Sequence, residues 1–138
     1  MIYLDTAALV KLCRREPETD ALADWLDDRE RVPRVSSALV EIELPRALLR
    51  LDPGLQSAVP EVLATISRYE IDELVRSKAA SYPTPQLRSL DAIHLATAQA
   101  VFGRQITAFV TYDRRLQGAA EAEGLPTAAP GHDRNRDC

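Results

Sequence analysis

Twice this chain runs a short apolar stretch into a single aspartate and then into residues of helical character. The first instance is Met1-Ile2-Tyr3-Leu4, then Asp5, then Thr6–Cys13 (TAALVKLC). The second is residues 105–112 (QITAFVTY), then Asp113, then a helical pattern to about Gly124. Runs this short, bounded by a charge, read as buried strands. Residues 32–36 and 68–71 read as two more strands. Helices are predicted to start at Glu16-Pro17-Glu18, where a proline suits the first turn and the acids suit the positive dipole end. Further helices are predicted from Ser37, placed as an N-cap, to about Leu51, then over 56–67 and 74–82, and from Ser89 to near Gly103. Strands alternating with helices pair in parallel through right-handed crossovers, with helices on both faces of the sheet. In such sheets the working site lies beyond the carboxyl ends of the strands, where the strand order reverses. Asp5 and Asp113 both stand at strand exits, so they are candidates to meet.

Composition narrows the class. A chain of 138 residues, 46% apolar and 28% charged, is long enough for one domain with its own core. The expected division is a single domain over 1–130 with a flexible polar tail over 131–138 (GHDRNRDC). No apolar stretch approaches the roughly 20 residues of a membrane span. No basic region precedes the first apolar run, so no secretory signal is expected. The cysteines, Cys13 and Cys138, form neither a disulfide framework nor a zinc pattern, and they fit a cytoplasmic protein. The net charge of −4 does not point to nucleic acid, but a local acidic cluster beside basic flanks is compatible with it.

Each acid alone has an ordinary explanation. Asp5 and Asp113 suit helix N-caps. Asp91 suits the first turn of a helix, and Glu43 a solvated helix face. Capping does not explain why these acids sit among Ala and Leu. Carboxylates gathered in one place repel unless a proton or a cation intervenes. An all-oxygen donor set favours Mg²⁺ or Mn²⁺, and such a site suits phosphodiester hydrolysis. Glu41 and Glu43 point about 200° apart on a helix, so only one can serve. Leu39, Val40 and Ala47 flank Glu43 at helical spacing and make it the inward candidate.

The segments IYLDTAALVKL, SSALVEIELPRAL, RSLDAIHLATA and VTYDRRLQGAAEAEGL, in that order, resemble the PIN-domain ribonucleases, specifically the VapC toxins of bacterial toxin–antitoxin pairs. The resemblance spans the chain. It implies a three-layer α/β/α sandwich with a central parallel sheet and an acidic quartet of Asp5, Glu43, Asp91 and Asp113 holding Mg²⁺ or Mn²⁺. Thr111, two residues before the last acid, would support Asp113 or a water rather than bind metal. The implied activity is an endoribonuclease leaving 5′-phosphate and 3′-hydroxyl ends. The implied partners are an RNA substrate, a small VapB-like antitoxin and a second copy of the chain. A catalytically silent PIN-like module that binds RNA or a partner is the alternative. A phosphoacceptor domain built on Asp5 fits poorly, because no acid follows within residues 6–10 and the lysines are Lys11 and Lys78.

Two departures bear on the site. Ala7 stands where many relatives have serine, and Pro45 interrupts the predicted third helix, so that helix either kinks or starts later. His94 lies one turn after Asp91 and reads more readily as a packed histidine than as a catalytic one. Trp25 and Tyr69 read as packing residues, and Arg114-Arg115 as solvated charges with some aptitude for an RNA backbone.

Overall fold

The structure is a computed structural model, and it describes residues 1–132. Among them, five strands form one parallel sheet: β1 Ile2–Leu4, β2 Arg34–Ser37, β3 Ser67–Tyr69, β4 Ala108–Val110 and β5 Thr127–Ala128. The helices are α1 Thr6–Cys13, α2 Thr19–Asp27, α3 Val40–Leu51, α4 Val59–Leu63, α5 Glu73–Ser81, α6 Ser89–Ala96 and α7 Arg114–Ala122. A parallel sheet carrying helices on both faces is the expected three-layer α/β/α sandwich.

The period of two along each strand divides the core between the faces. Ile2 and Leu4 of β1, with Ala108 and Val110 of β4, pack against apolar residues of α1, α2, α3 and α4. Tyr3 and Phe109, one residue out of phase, point the other way and join Leu95, Phe102, Leu116 and Ala120. Tyr3 stacks on Phe109 with ring centroids 5.0 Å apart.

The sheet order is β3-β2-β1-β4-β5. The chain steps outward from β1 through β2 to β3, then returns to the opposite side of β1. The order therefore reverses between β1 and β4, and their register, Ile2 opposite Ala108 and Leu4 opposite Val110, sets Asp5 level with Thr111. The Asp5 amide continues the ladder by donating to the Val110 carbonyl at 3.3 Å.

Several boundaries differ from the sequence expectations. Ser37 ends β2 instead of capping the third helix; its hydroxyl accepts from the Leu39 amide, and α3 begins at Val40. Starting later, α3 meets Pro45 in its second turn, and the Pro45 carbonyl accepts from the Gln56 side chain at 2.7 Å. A 3-10 turn at Pro53–Ala58 replaces the first part of the helix expected over 56–67. Strand β5 was not expected; it is two residues long and lies between Pro126 and Pro130. The α6 path widens into a π-helical segment, Thr97–Phe102, and stops at Gly103, whose φ of 53° favours a residue without Cβ. Gly131, in the segment expected as a tail, packs against Glu18 and Ala21 of the α2 entry, whereas residues 133–138 lie outside the described residues. No described helix is long and apolar enough to cross a membrane.

Candidate active site

Asp5 leaves β1 and caps α1, its Oδ1 accepting from the Ala8 amide at 2.9 Å. It is only 4% exposed. One oxygen is thus committed to the fold, while Oδ2 remains for a ligand. Capping and ligation, alternatives for a residue read in isolation, are compatible in one carboxylate. Asp113 lies three residues past the end of β4 and caps α7, accepting from the amides of Arg115 at 2.8 Å and Leu116 at 3.2 Å. Unlike Asp5, it is exposed.

Thr111 lies fully buried between these two acids. Its Oγ1 accepts from the Asp113 amide at 3.2 Å, and its hydroxyl, level with Asp5 across the sheet, helps to hold the Asp5 carboxyl down against burial. That hydrogen bond is with the Asp113 backbone rather than with the Asp113 carboxylate, and the expectation was that Thr111 would support Asp113 or a water.

Glu43, on α3, turns inward and is half-buried, while Glu41 is exposed and lies 3.7 Å from Arg68. Glu43 Oε1 accepts from the Thr6 hydroxyl at 2.7 Å and meets His94 Nε2 at 2.8 Å. His94 is 2% exposed, and its Nδ1 lies 2.7 Å from the Tyr3 hydroxyl. Sequence reading passed over this chain of Tyr3, His94, Glu43 and Thr6. The available signal was weak: a histidine one turn after Asp91, and a threonine one residue after Asp5. Ala7 is exposed, so the polar side chain that α1 offers here is Thr6. Trp25 carries Arg29 over its ring, and Tyr69 meets Phe102 edge-on, so both aromatics are engaged in packing.

Asp91, in the first turn of α6, lines an open cleft of about 400 Å³ with Gln86, Arg88, Asp113, Arg114 and Arg115. Asp91 is the acid that the other three share as a neighbour in charge. Burial raises the Asp5 carboxyl above its ordinary range, against the pull of His94, Thr111 and the Ala8 amide, and Asp91 raises it further. Asp91 is raised by burial and then by Asp113, with a smaller contribution from Glu43. Burial acts on Glu43 too, but the hydrogen bonds from His94 and Thr6 outweigh it and hold its carboxyl below the usual value.

These shifts set the pH behaviour of the protein without metal. Groups with raised carboxyl values hold more protons folded than unfolded, so their contribution to stability falls as pH rises through the raised values. Glu43 has the opposite sign: its contribution is present above the unfolded value and lost as pH falls through the lowered one. Asp5→Asn removes the most buried of the raised groups. Thermal melts in chelator from about pH 4 to about pH 7 are expected to show the variant gaining on wild type as pH rises. A difference that stays flat with pH would contradict a raised Asp5.

Mutual repulsion among half-buried carboxylates is what a divalent cation relieves. The donors are hard oxygens, with Asp5 Oδ2 and Glu43 Oε2 both outside the hydrogen bonds just described. Among the described residues no three Asp, Glu, His or Cys side chains close into a metal cage. The arrangement fits an open site in which carboxylates supply part of the coordination and water and substrate phosphate supply the rest, as is common for Mg²⁺, rather than a structural ion.

Fold and acids together describe a parallel α/β/α domain whose carboxylates stand past the exits of the two strands flanking its switch point. Comparison with known proteins makes the class specific. The family described as PIN domain matches residues 2–122. Ribonuclease VapC35 of Mycobacterium tuberculosis is 58% identical over 135 residues, 97% of this chain and 100% of that one. Ribonuclease VapC46 of the same species is 45% identical over 94% of this chain and 97% of its own. Two crystal structures share the fold. FitAcB from Neisseria gonorrhoeae has a TM-score of 0.65 at 23% identity, covering 96% of this chain and 100% of that one. VapBC2 from Rickettsia felis, bound to a DNA fragment from their promoter, has a TM-score of 0.67 at 16% identity, covering 94% and 99%. The chain belongs to the PIN-domain family.

Proposed function

We propose that the chain is a single-domain, cytoplasmic endoribonuclease that depends on Mg²⁺ or Mn²⁺ and acts as the toxin of a type II toxin–antitoxin pair. The observation that carries this reading is the 58% identity to a protein named a ribonuclease, over 97% of this chain and 100% of that one. The acids at the switch point supply a place for the chemistry.

Asp5 and Asp91 are the principal ligands in this reading, with Glu43 and Asp113 completing the site or orienting water. When bound, the cation would activate water and offset the charge that grows on the phosphate oxygens. The chain's own groups do the rest. Thr111 fixes the Asp113 backbone beside Asp5, while Arg88 and Arg115 line the cleft where a phosphate backbone would pass. A small VapB-like antitoxin would silence the site by laying a basic residue against Asp91 and Asp113. A homodimer is the assembly we assign to the free toxin.

The test is cleavage of a labelled RNA pool by protein purified free of antitoxin. Cleavage with Mg²⁺ or Mn²⁺, abolished by EDTA and restored by excess metal, is the expected result. Cleavage unaffected by EDTA would contradict the metal requirement. Neither cleavage nor Mn²⁺ binding would leave the silent binding module as the better account.

A further inference from the structure

Both ring nitrogens of His94 are engaged, and the engagement ties three elements to one carboxylate. The Nε2 atom, from α6, meets Glu43 Oε1 at 2.8 Å, and the Thr6 hydroxyl, from α1, donates to the same oxygen at 2.7 Å. Because its partner is a carboxylate oxygen, Nε2 must carry the proton of that bond. On the far side Nδ1 meets the hydroxyl of Tyr3, which is itself fully buried on β1 and stacked on Phe109. The backbone of α3 places only the Cα of Glu43, and its side chain keeps several rotatable bonds. Two donors on one oxygen remove that freedom and leave Oε2 as the oxygen a ligand can take.

We propose that His94, with Thr6, is a positioning residue that clamps Glu43 by Oε1 and presents Oε2 to the divalent cation, Tyr3 fixing the imidazole from behind. The assignment rests on the metal-dependent reading above. It differs from ordinary core packing in what it requires at position 94: a donor in the place of Nε2, not merely a side chain of the right volume. Partners that orient a metal-ligating group commonly contribute 10–100-fold in affinity.

The experiment measures Mn²⁺ affinity by equilibrium binding to the metal-stripped full chain, with Tm recorded for each variant. His94→Leu is expected to weaken Mn²⁺ binding by about tenfold or more. His94→Gln, whose amide nitrogen can reach the place of Nε2, is expected to recover most of that loss. Tyr3→Phe keeps the stacked ring but frees Nδ1, and a smaller weakening is expected. Folded His94→Leu binding Mn²⁺ like wild type would overturn the proposal, as would His94→Gln performing no better than His94→Leu at equal Tm. Should His94→Leu fail to fold, unchanged affinity in folded His94→Gln together with weakened affinity in Tyr3→Phe supports the clamp. Unchanged affinity in Tyr3→Phe then overturns it. Wild type that binds no Mn²⁺ would remove the metal-dependent reading and the clamp together, whereas wild-type binding with an indifferent His94 removes the clamp alone.

Discussion

Asp5→Asn is expected to lower RNA cleavage at least about a hundredfold while leaving Tm at or above that of the wild type. Residues that merely orient a metal ligand cost up to about 100-fold when removed, so a ligand itself should cost no less. Stability should move the other way for reasons local to the residue. Asn caps a helix as well as Asp does, so the bond from the Ala8 amide survives. The substitution also removes a carboxylate that is almost wholly buried, raised by that burial and further by Asp91. An enzyme assay and a thermal melt on one preparation decide the matter. Cleavage within tenfold of wild type would remove Asp5 from the chemistry, and a strongly lowered Tm would make it primarily structural.

Phe109→Ala is expected to cost about 3–5 kcal/mol, a large fraction of the roughly 5–15 kcal/mol that holds a domain together. Phe109 is fully buried at the centre of β4, and its ring lies nearly parallel to that of Tyr3. Truncation leaves a cavity between the sheet and the helices carrying Leu95 and Leu116, which can collapse only by moving β4 or Tyr3. The damage is expected to reach the site as well, since Tyr3 supports His94 and His94 meets Glu43. Urea unfolding followed by circular dichroism measures the loss. A cost below about 1 kcal/mol would mean that the site relaxes freely and that the stack does not anchor β1 to β4.

Asp5 and Asp113 could be read from sequence because both the strand and the helix beside each are local patterns, so the junction between them is local too. Their proximity followed from a topological rule: parallel strands place their exits on one edge, and the order reverses between β1 and β4. The inward aim of Glu43 followed from helical phase, from its apolar neighbours at helical spacing, and from the likeness of its ELPRAL context to the family pattern. What sequence did not show depends on contacts distant along the chain. The pairing of Tyr3 with His94 spans 91 positions, and that of His94 with Glu43 spans 51. No periodicity carries such information, and a histidine on an apolar helix face looks the same whether it packs or holds a carboxylate. Strand β5 escaped because two residues between prolines carry no strand pattern of their own; Thr127 and Ala128 are strand because β4 offers them an edge. Ser37 misled because a serine before a helical run suits an N-cap, whereas β2 extends through it and α3 starts only at Val40.

The proposed function requires one divalent cation bound between Asp5 and Asp91, with Glu43 and Asp113 beside it. An anomalous difference map from crystals soaked in Mn²⁺ locates that cation. A peak is expected in contact with the carboxylates of Asp5 and Asp91, on the side of Asp5 away from the Ala8 amide, and it is expected to disappear in Asp5→Asn. Manganese bound elsewhere in the crystal with no peak at these acids would contradict it.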